Sequence, residues 1–138
     1  MTLSPDRLFS AEASVRRVAR TIYESTKNLP LVCPHTHCDP TWFADDQAFT
    51  DPASLFVIPD HYVLRMLVSQ GVPLSELGRD RVGVNLAPRE IWRRFAARYD
   101  LFLGTPSRLW IDYALSEVLE IRNPISEEGA DRLFDEVV

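Results

Sequence analysis

The hydrophobic pattern opens with an amphipathic segment near the start of the chain. Val15, Val18 and Ile22 recur at helical spacing, together with Ala19, and the arginines between them fall on the side that faces water. Ser10 precedes this stripe, and its side chain can accept hydrogen bonds from the free N–H groups of a first helical turn. The pattern predicts an amino-terminal helix over 10–28.

The same helical pattern recurs in 60–138 and predicts a run of further helices. Asp60 can cap the first of them, which begins at the next residue and stops near Gly71. Pro88 and Pro106 open the next two, since proline suits the first position of a helix. The side chains predicted to face inward are Leu64, Leu67 and Val68 in the first helix, Ile91, Phe95, Tyr99 and Phe102 in the second, and Leu109, Trp110, Tyr113 and Leu119 in the third.

One short apolar run has the length of a buried strand and is too short for a buried helix. The run "LPLVCPH" contains Pro30 and Pro34 and predicts a strand over 29–40. Because Pro34 cannot donate a hydrogen bond to a neighbouring strand, His35 and His37 are expected at or just past the carboxyl end of this strand. Strand ends of this kind carry the chemistry of α/β folds.

Several helices and one strand are an unusual set for a complete domain. A lone strand has no partner for its backbone N–H and C=O groups. Ser126 can cap a last helix that reaches Val138 without a stop signal. We therefore expect 1–138 to be a single incomplete domain, the amino-terminal part of a larger α/β protein. The alternative is a small, mostly helical domain in which the apolar run is an extended connector.

Composition and charge narrow the class of protein. The 138 residues are 46% hydrophobic, yet no apolar run approaches the length that spans a bilayer. The first residues lack the cationic and apolar segments of a secretory signal. The net charge of -5 comes from mixed acidic and basic residues, which argues against a surface that follows nucleic-acid phosphates. We expect a cytoplasmic protein with neither a membrane nor a nucleic acid as partner.

His35 and His37 are the first candidates for chemistry. Residues two apart on a strand point to the same side, with α-carbons roughly 6.5 Å apart, so both imidazoles can reach one divalent ion such as zinc, iron or manganese. A catalytic metal site needs at least one more protein ligand. Spacing does not choose among the candidates, which are Asp39, Asp45, Asp46, Asp60 and His61. A solvent-exposed polar turn is the alternative.

Cys33 and Cys38 flank this pair and are the only cysteines of the chain. They could join a structural zinc cluster, although a strand would point Cys38 away from the other ligands. A thiol nucleophile activated by histidine is also conceivable, but no feature of the sequence points to one. We expect free thiols that pack as small apolar residues.

His61 and Tyr62 are the second candidates, in the first turn of the helix that Asp60 caps. Exposed N–H groups and the positive end of the helix dipole favour an anion or a developing negative oxygen there. A phenol and an imidazole at this place can act as acid, base or hydrogen-bond donor. The alternative is a surface histidine beside a tyrosine that packs at the rim of the core.

Three segments in a fixed order resemble one known family. They are "VCPHTHCDP", then "DPASLFVIPDHYVLRMLVSQGVPLSELG", then "REIWRRFAARYDLFLGTPSRLWIDYALSEVLEI". Each piece is common, but their order is similar to the amino-terminal part of uronate isomerase, also called glucuronate isomerase, in the amidohydrolase superfamily. The resemblance runs from about Pro30 to the end of the chain.

The resemblance implies a distorted (β/α)8 TIM barrel whose first strand, in 29–40, carries metal-binding histidines and whose helical insertion occupies 60–138. It implies that His35 and His37 bind a divalent metal, usually zinc, with a further aspartate from the last barrel strand. It implies that His61 and Tyr62 belong to the substrate site, with catalytic and substrate-binding roles. The implied reaction converts the hexuronates D-glucuronate to D-fructuronate and D-galacturonate to D-tagaturonate, in an enzyme that forms a homo-oligomer at full length.

Two departures and two alternatives remain beside this resemblance. Cys33 stands where typical members have an acidic residue, and Cys38 stands where they have a leucine, which bears on metal preference. The implied barrel also needs about 250 residues, so the chain by itself is expected to be inactive. A metal-dependent hydrolase of the same superfamily and a non-catalytic helical interaction module are the alternatives.

Overall fold

A computed structural model describes residues 3–33, 35, 38–79 and 86–137. These residues form helices and turns, and no strand is assigned among them. The α-helices are α1 (Ala13–Thr26), α2 (Thr41–Asp45), α3 (Pro52–Phe56), α4 (His61–Ser69), α5 (Pro88–Ala96), α6 (Pro106–Tyr113) and α7 (Ala130–Glu136). Short 3-10 helices cover Leu74–Leu77 and Tyr99–Phe102, and a π-helical turn at Ala114–Val118 extends α6. The chain divides into two compact units, Thr2–Thr36 and His37–Val138.

The amino-terminal unit contains α1, which lies inside the predicted range 10–28 but starts later than predicted. Glu12, not Ser10, caps it: the Glu12 carboxylate accepts hydrogen bonds from the N–H groups of Ser14 at 3.0 Å and Val15 at 2.7 Å. The Ser10 hydroxyl instead accepts from the N–H of Glu12 at 3.2 Å. The cap of α1 is therefore two residues later than predicted, and the Ser10 hydroxyl binds the backbone of the capping residue.

The apolar stripe of α1 is exposed. Val15, Val18 and Ile22 are 54%, 59% and 60% exposed, and the helix buries none of its residues. The polar side is better anchored, since the Arg20 guanidinium pairs with Asp6.

The predicted buried strand over 29–40 is not found among the described residues of that range. Leu31 and Val32 are 96% and 91% exposed and lie outside any helix or strand. A strand needs a neighbouring strand to bind its backbone N–H and C=O groups, and no such strand is found among the described residues.

An aromatic core holds the larger unit together. Trp92 is fully buried on α5, and its indole N–H donates to the Ala130 carbonyl at the start of α7 at 2.9 Å. The Phe95 ring lies 5.3 Å from the Trp92 ring and 5.5 Å from the Phe102 ring. The inward positions predicted for this segment are all buried, namely Ile91, Phe95, Tyr99 and Phe102. However, α5 ends at Ala96, and the chain tightens into a 3-10 helix that brings the last two of them inward.

Local signals set the bounds of α4. The Asp60 carboxylate caps it by accepting from the Tyr62 N–H at 2.8 Å, as predicted. Gly71 follows the end of the helix with a φ of +84°, a conformation that favours glycine. Leu64 and Leu67 are buried, but Val68 is 40% exposed, so its inward assignment was wrong.

The buried face of α6 differs from the prediction. Ile111 is fully buried and Leu115 is 3% exposed, whereas Trp110 and Tyr113 are 40% and 46% exposed. The two buried residues are four apart and share one helical face. The aromatic residues beside them remain partly exposed.

Tyr99 joins the end of the α5 segment to α6 through a polar cluster. Its hydroxyl donates to Asp112 Oδ1 at 2.9 Å, and the Arg108 guanidinium lies 3.9 Å above its ring and donates to Asp112 Oδ2 at 2.9 Å. Burial, followed by the negative charge of Asp112, raises the pKa of the Tyr99 hydroxyl far above its usual range. This hydroxyl is therefore a neutral, structural donor.

The last helix also starts later than predicted. The Ser126 hydroxyl accepts from the Gly129 N–H at 3.1 Å, so it stabilises a turn that precedes α7. Arg93 pairs with Asp131 across α5 and α7, and hydrogen bonds from Arg93 lower the pKa of the Asp131 carboxyl. Within the described ranges, no helix combines the length and the hydropathy that a membrane crossing requires.

Candidate functional site

The histidine pair is described only in part. His35 is exposed, lies outside any helix, and its backbone carbonyl accepts a hydrogen bond from the Cys33 thiol at 2.8 Å. His37 lies outside the described residues, so the convergence of the two imidazoles stays a prediction. Cys33 and Cys38 are free thiols, as expected, but both are exposed, so the prediction that they pack in a core was wrong.

Two of the four aspartates considered as a third metal ligand have separate local roles. Asp39 accepts from the Thr41 backbone N–H at 2.9 Å and from its hydroxyl at 2.8 Å, and these bonds lower the pKa of the Asp39 carboxyl. Asp60 is occupied as the cap of α4. Among the described residues, which exclude His37, no three histidine, cysteine, aspartate or glutamate side chains form a group that could hold a metal.

His61 and Tyr62 are brought together as the first two residues of α4. Their ring centroids are 4.2 Å apart and the ring planes are inclined by 34°. Both residues are exposed, Tyr62 by 47%. The Asp60 cap fixes the backbone of this first turn. An imidazole and a phenol are thus presented side by side at the amino-terminal end of a helix, where the dipole favours negative charge.

Arg65 adds a cation to the same face of α4. Its guanidinium carbon lies 5.0 Å from the centroid of the Tyr62 ring. Residues three and four apart are neighbours on a helix, so Arg65 lies next to both His61 and Tyr62. Sequence reasoning assigned no role to Arg65, although this spacing was readable from the sequence.

Two grooves meet at Tyr62. The first, termed here the aromatic groove, has a volume of about 660 Å³, and its aromatic lining consists of Trp42, Phe49, Phe56, Tyr62 and Trp110. Within it the Trp42 and Phe49 rings are 5.0 Å apart, and the Phe56 and Trp110 rings are 5.7 Å apart. The π-helical turn after α6 supplies part of its wall. The exposure of Trp110 is explained by this position.

The second groove, termed here the hydroxyl groove, has a volume of about 540 Å³ and a more polar lining. Its polar side chains are Tyr62, Arg65, Ser69, Thr105 and Ser107, joined by Met66 and Pro106. Among the residues that the structure describes, no carboxylate is part of this lining. The Tyr62 side chain therefore borders an apolar space on one side and a cationic, hydroxyl-bearing space on the other.

Comparison with known proteins identifies related sequences over nearly the whole chain. A family model described as glucuronate isomerase matches residues 8–138. A uronate isomerase of Brucella canis is 50% identical over 99% of this chain and 30% of its own length. A uronate isomerase of Rhizobium meliloti is also 50% identical, over 98% of this chain and 29% of its own length. The chain thus spans about 30% of the length of the curated relatives it matches.

Solved structures agree with these sequence matches. The crystal structure of a glucuronate isomerase from Caulobacter crescentus superposes with a TM-score of 0.89 at 42% identity, over 99% of this chain and 29% of that one. The uronate isomerase of Thermotoga maritima gives a TM-score of 0.78 at 27% identity, over 99% of this chain and 28% of that one. The helical arrangement described above is therefore shared with both.

Proposed function

This chain belongs to the glucuronate isomerase family, and from that premise we propose that it acts as the amino-terminal part of a hexuronate isomerase. The proposed reaction interconverts D-glucuronate with D-fructuronate and D-galacturonate with D-tagaturonate. The observation that carries the proposal is the exposed His61–Tyr62 pair at the capped start of α4, within a chain matched from residue 8 to residue 138 by the family. The relatives named above are isomerases, which favours this reading over a hydrolase or an interaction module.

The longer protein would place the exposed segments of this chain. We propose that 29–40 supplies the first strand of a distorted (β/α)8 barrel and that the helices of 60–138 form an insertion beside its active site. Leu31 and Val32, at 96% and 91% exposure, are apolar enough to be buried once neighbouring strands pair with this segment. The absence of such partners among the described residues is consistent with a chain that spans about 30% of its relatives.

Tyr62 and His61 suit the proton transfers of this reaction. Interconversion of an aldose and a ketose moves a proton between adjacent carbons and requires proton exchange at a substrate hydroxyl. Tyr62 is assigned the role of proton donor or hydroxyl partner, because its phenol is accessible at the junction of two grooves. His61 is assigned a hydrogen bond to the sugar. The positive end of α4 would favour negative charge that develops on a substrate oxygen.

His35 and His37 are assigned as protein ligands of a divalent metal, with zinc the first choice. Two imidazoles can supply two of the protein ligands that a catalytic zinc needs, and His35 is exposed. When bound, such an ion would polarise substrate oxygens and stabilise negative charge on them. The remaining ligand would come from outside this chain.

The proposal also covers the location, the substrate and the partners of the protein. We expect a cytoplasmic enzyme that takes a hexuronate sugar as its substrate and forms a homo-oligomer at full length, without a nucleic-acid or membrane partner.

The test uses the full-length protein that contains this chain. The purified protein is incubated with D-glucuronate, and ketose formation is followed before and after treatment with a chelator and again after zinc is added. We expect turnover that falls on chelation and returns with the metal. A full-length protein that forms no ketose from D-glucuronate or D-galacturonate would contradict the proposed function.

A further inference from the structure

We propose that Arg79 is a positioning residue of the proposed isomerase site, because its guanidinium holds the loop from which α4 presents His61 and Tyr62. This inference rests on the proposed function and assigns a role to a side chain that acts on the site through the backbone. It is carried by a hydrogen bond between residues 21 apart in the sequence, from Arg79 Nε to the Ile58 carbonyl at 2.9 Å.

The loop 57–60 connects α3 to α4 and sets the position at which α4 begins. On the side of α3, the Ile58 N–H donates to the Ala53 carbonyl at 2.9 Å. On the side of α4, the Asp60 carboxylate accepts from the Tyr62 N–H at 2.8 Å. The bond from the arginine reaches the loop between these two anchors. A shift of the loop is therefore passed on, through the Asp60 cap, to the first turn of α4.

Arg79 extends from a segment that the core holds in place. It follows the 3-10 helix Leu74–Leu77, whose Leu77 is fully buried. Gly78, between them, has a φ of +72°, a conformation that favours glycine, and a Cβ added to it would lie 3.2 Å from Ile58 Cδ1. The turn thus packs the backbone before Arg79 against the Ile58 side chain, while the guanidinium binds the carbonyl of the same residue. The loop before α4 is tied to the core in this way.

An arginine suits this role because its planar guanidinium carries several donors in a fixed arrangement. While Nε binds the Ile58 carbonyl, Nη2 of Arg79 lies 3.5 Å from the Pro59 carbonyl oxygen. A charged donor makes a stronger hydrogen bond than a neutral one. Proton transfer depends steeply on geometry, and a misplacement of about 1 Å can cost on the order of 100-fold in rate. Loss of the guanidinium should therefore slow the chemistry assigned to Tyr62 more than it weakens binding of the sugar.

The test separates a positioning role from a general effect on stability in the full-length protein. Arg79→Met removes the donors and keeps a long side chain, Arg79→Lys keeps one cationic donor, and Arg132→Met is the matched control. Arg132 lies on α7 and pairs with Glu136 of its own helix. For each protein, kcat and KM are measured with D-glucuronate, and urea denaturation establishes that it is folded under the assay conditions. Arg79→Met is also combined with Tyr62→Phe.

We expect Arg79→Met to lower kcat by roughly 10- to 100-fold while KM changes by less than about 3-fold. Arg79→Lys should recover part of the loss, and Arg132→Met should behave as the unaltered protein. In the Tyr62→Phe background, Arg79→Met should lower kcat further by less than about 3-fold, because the hydroxyl that the arginine positions is already absent.

Two results would overturn the assignment while leaving the isomerase proposal intact. One is an equal fall in kcat with and without the Tyr62 hydroxyl, and the other is a fall no larger than that of Arg132→Met. If Arg79→Met does not fold, Arg79→Lys replaces it in both backgrounds and is judged by the same two comparisons. An unaltered protein without uronate turnover would instead overturn the proposed function, and this assignment with it.

Discussion

Apolar side chains are buried in the aromatic core around Trp92 but exposed on the amino-terminal helix α1. Trp92, Phe95 and Phe102 are fully buried among partners from the same unit, whereas Val18 and Ile22 on α1 are 59% and 60% exposed. Burial of apolar surface is the main driving force for folding, so the first region gains this stabilisation from its own contacts, whereas the apolar stripe of α1 does not. The difference teaches that an amphipathic pattern predicts a helix but not the surface that covers it.

The same contrast separates stability from proposed chemistry. The α5 and α7 segments form a closed core and present an ion-paired surface, while the exposed side chains at the start of α4 and at His35 are those assigned to substrate and metal. Exposed imidazole and phenol groups cost little folding energy. Substitutions in the two kinds of region should therefore differ in which property they change.

Trp92→Ala should give the largest loss of stability. It removes a fully buried indole and the hydrogen bond from its N–H to the Ala130 carbonyl. We expect the free energy of unfolding of the chain to fall by about 3–5 kcal/mol, measured by urea denaturation. A loss below about 1 kcal/mol would show that this core does not hold the helices together.

Tyr99→Phe should have an intermediate effect with a pH signature. It removes the hydroxyl that donates to Asp112 and should cost about 1–2 kcal/mol at neutral pH. The raised pKa of Tyr99 means that its contribution is fully present below about pH 10 and is lost as pH rises above that value. The stability difference between the two proteins should therefore shrink in strong alkali.

The control for this substitution is Tyr23→Phe, which removes the hydroxyl of a tyrosine on α1 that is 50% exposed. It should change stability by less than about 0.5 kcal/mol. Equal losses for both tyrosines, or a Tyr99 effect that does not depend on pH, would contradict the role of the Tyr99–Asp112 hydrogen bond.

Val18→Ala should have the smallest effect and completes the comparison. The substitution shortens an exposed side chain on α1 and places a better helix former there. In the isolated chain we expect a change of less than about 0.5 kcal/mol in the unfolding free energy, again from urea denaturation. A loss as large as that of a core substitution would show that the α1 stripe is covered in solution.

The sequence was most informative where a local signal decides the structure. Asp60 and Gly71 bound α4 as predicted, because a cap and a positive-φ glycine act within a single turn. The inward positions of the α5 segment were also readable, since Ile91 and Phe95 repeat at helical spacing. The Asp60 cap also correctly placed His61 and Tyr62 in the first turn of α4.

Features that depend on partners were less predictable. Trp110 was predicted to lie in the core, but Ile111 is buried in its place. The hydrophobic pattern of a helix does not show that an aromatic ring lines a neighbouring groove. The predicted burial of Cys33 was wrong, because no strand that could cover its segment is found among the described residues. Glu12 rather than Ser10 caps α1, and sequence patterns do not rank two polar residues that lie two positions apart. Arg65 was missed for a different reason, since its place three residues after Tyr62 on the same helix was readable from the sequence.

The most direct test of the account is the turnover number of full-length Tyr62→Phe with D-glucuronate. We predict a fall in kcat of roughly 100- to 10,000-fold, the usual contribution of a positioned acid or base. Urea denaturation of the same variant should show that it is folded, because Tyr62 is 47% exposed and the backbone cap of α4 is retained. Full turnover in this variant would contradict the placement of the proposed isomerase chemistry at the start of α4.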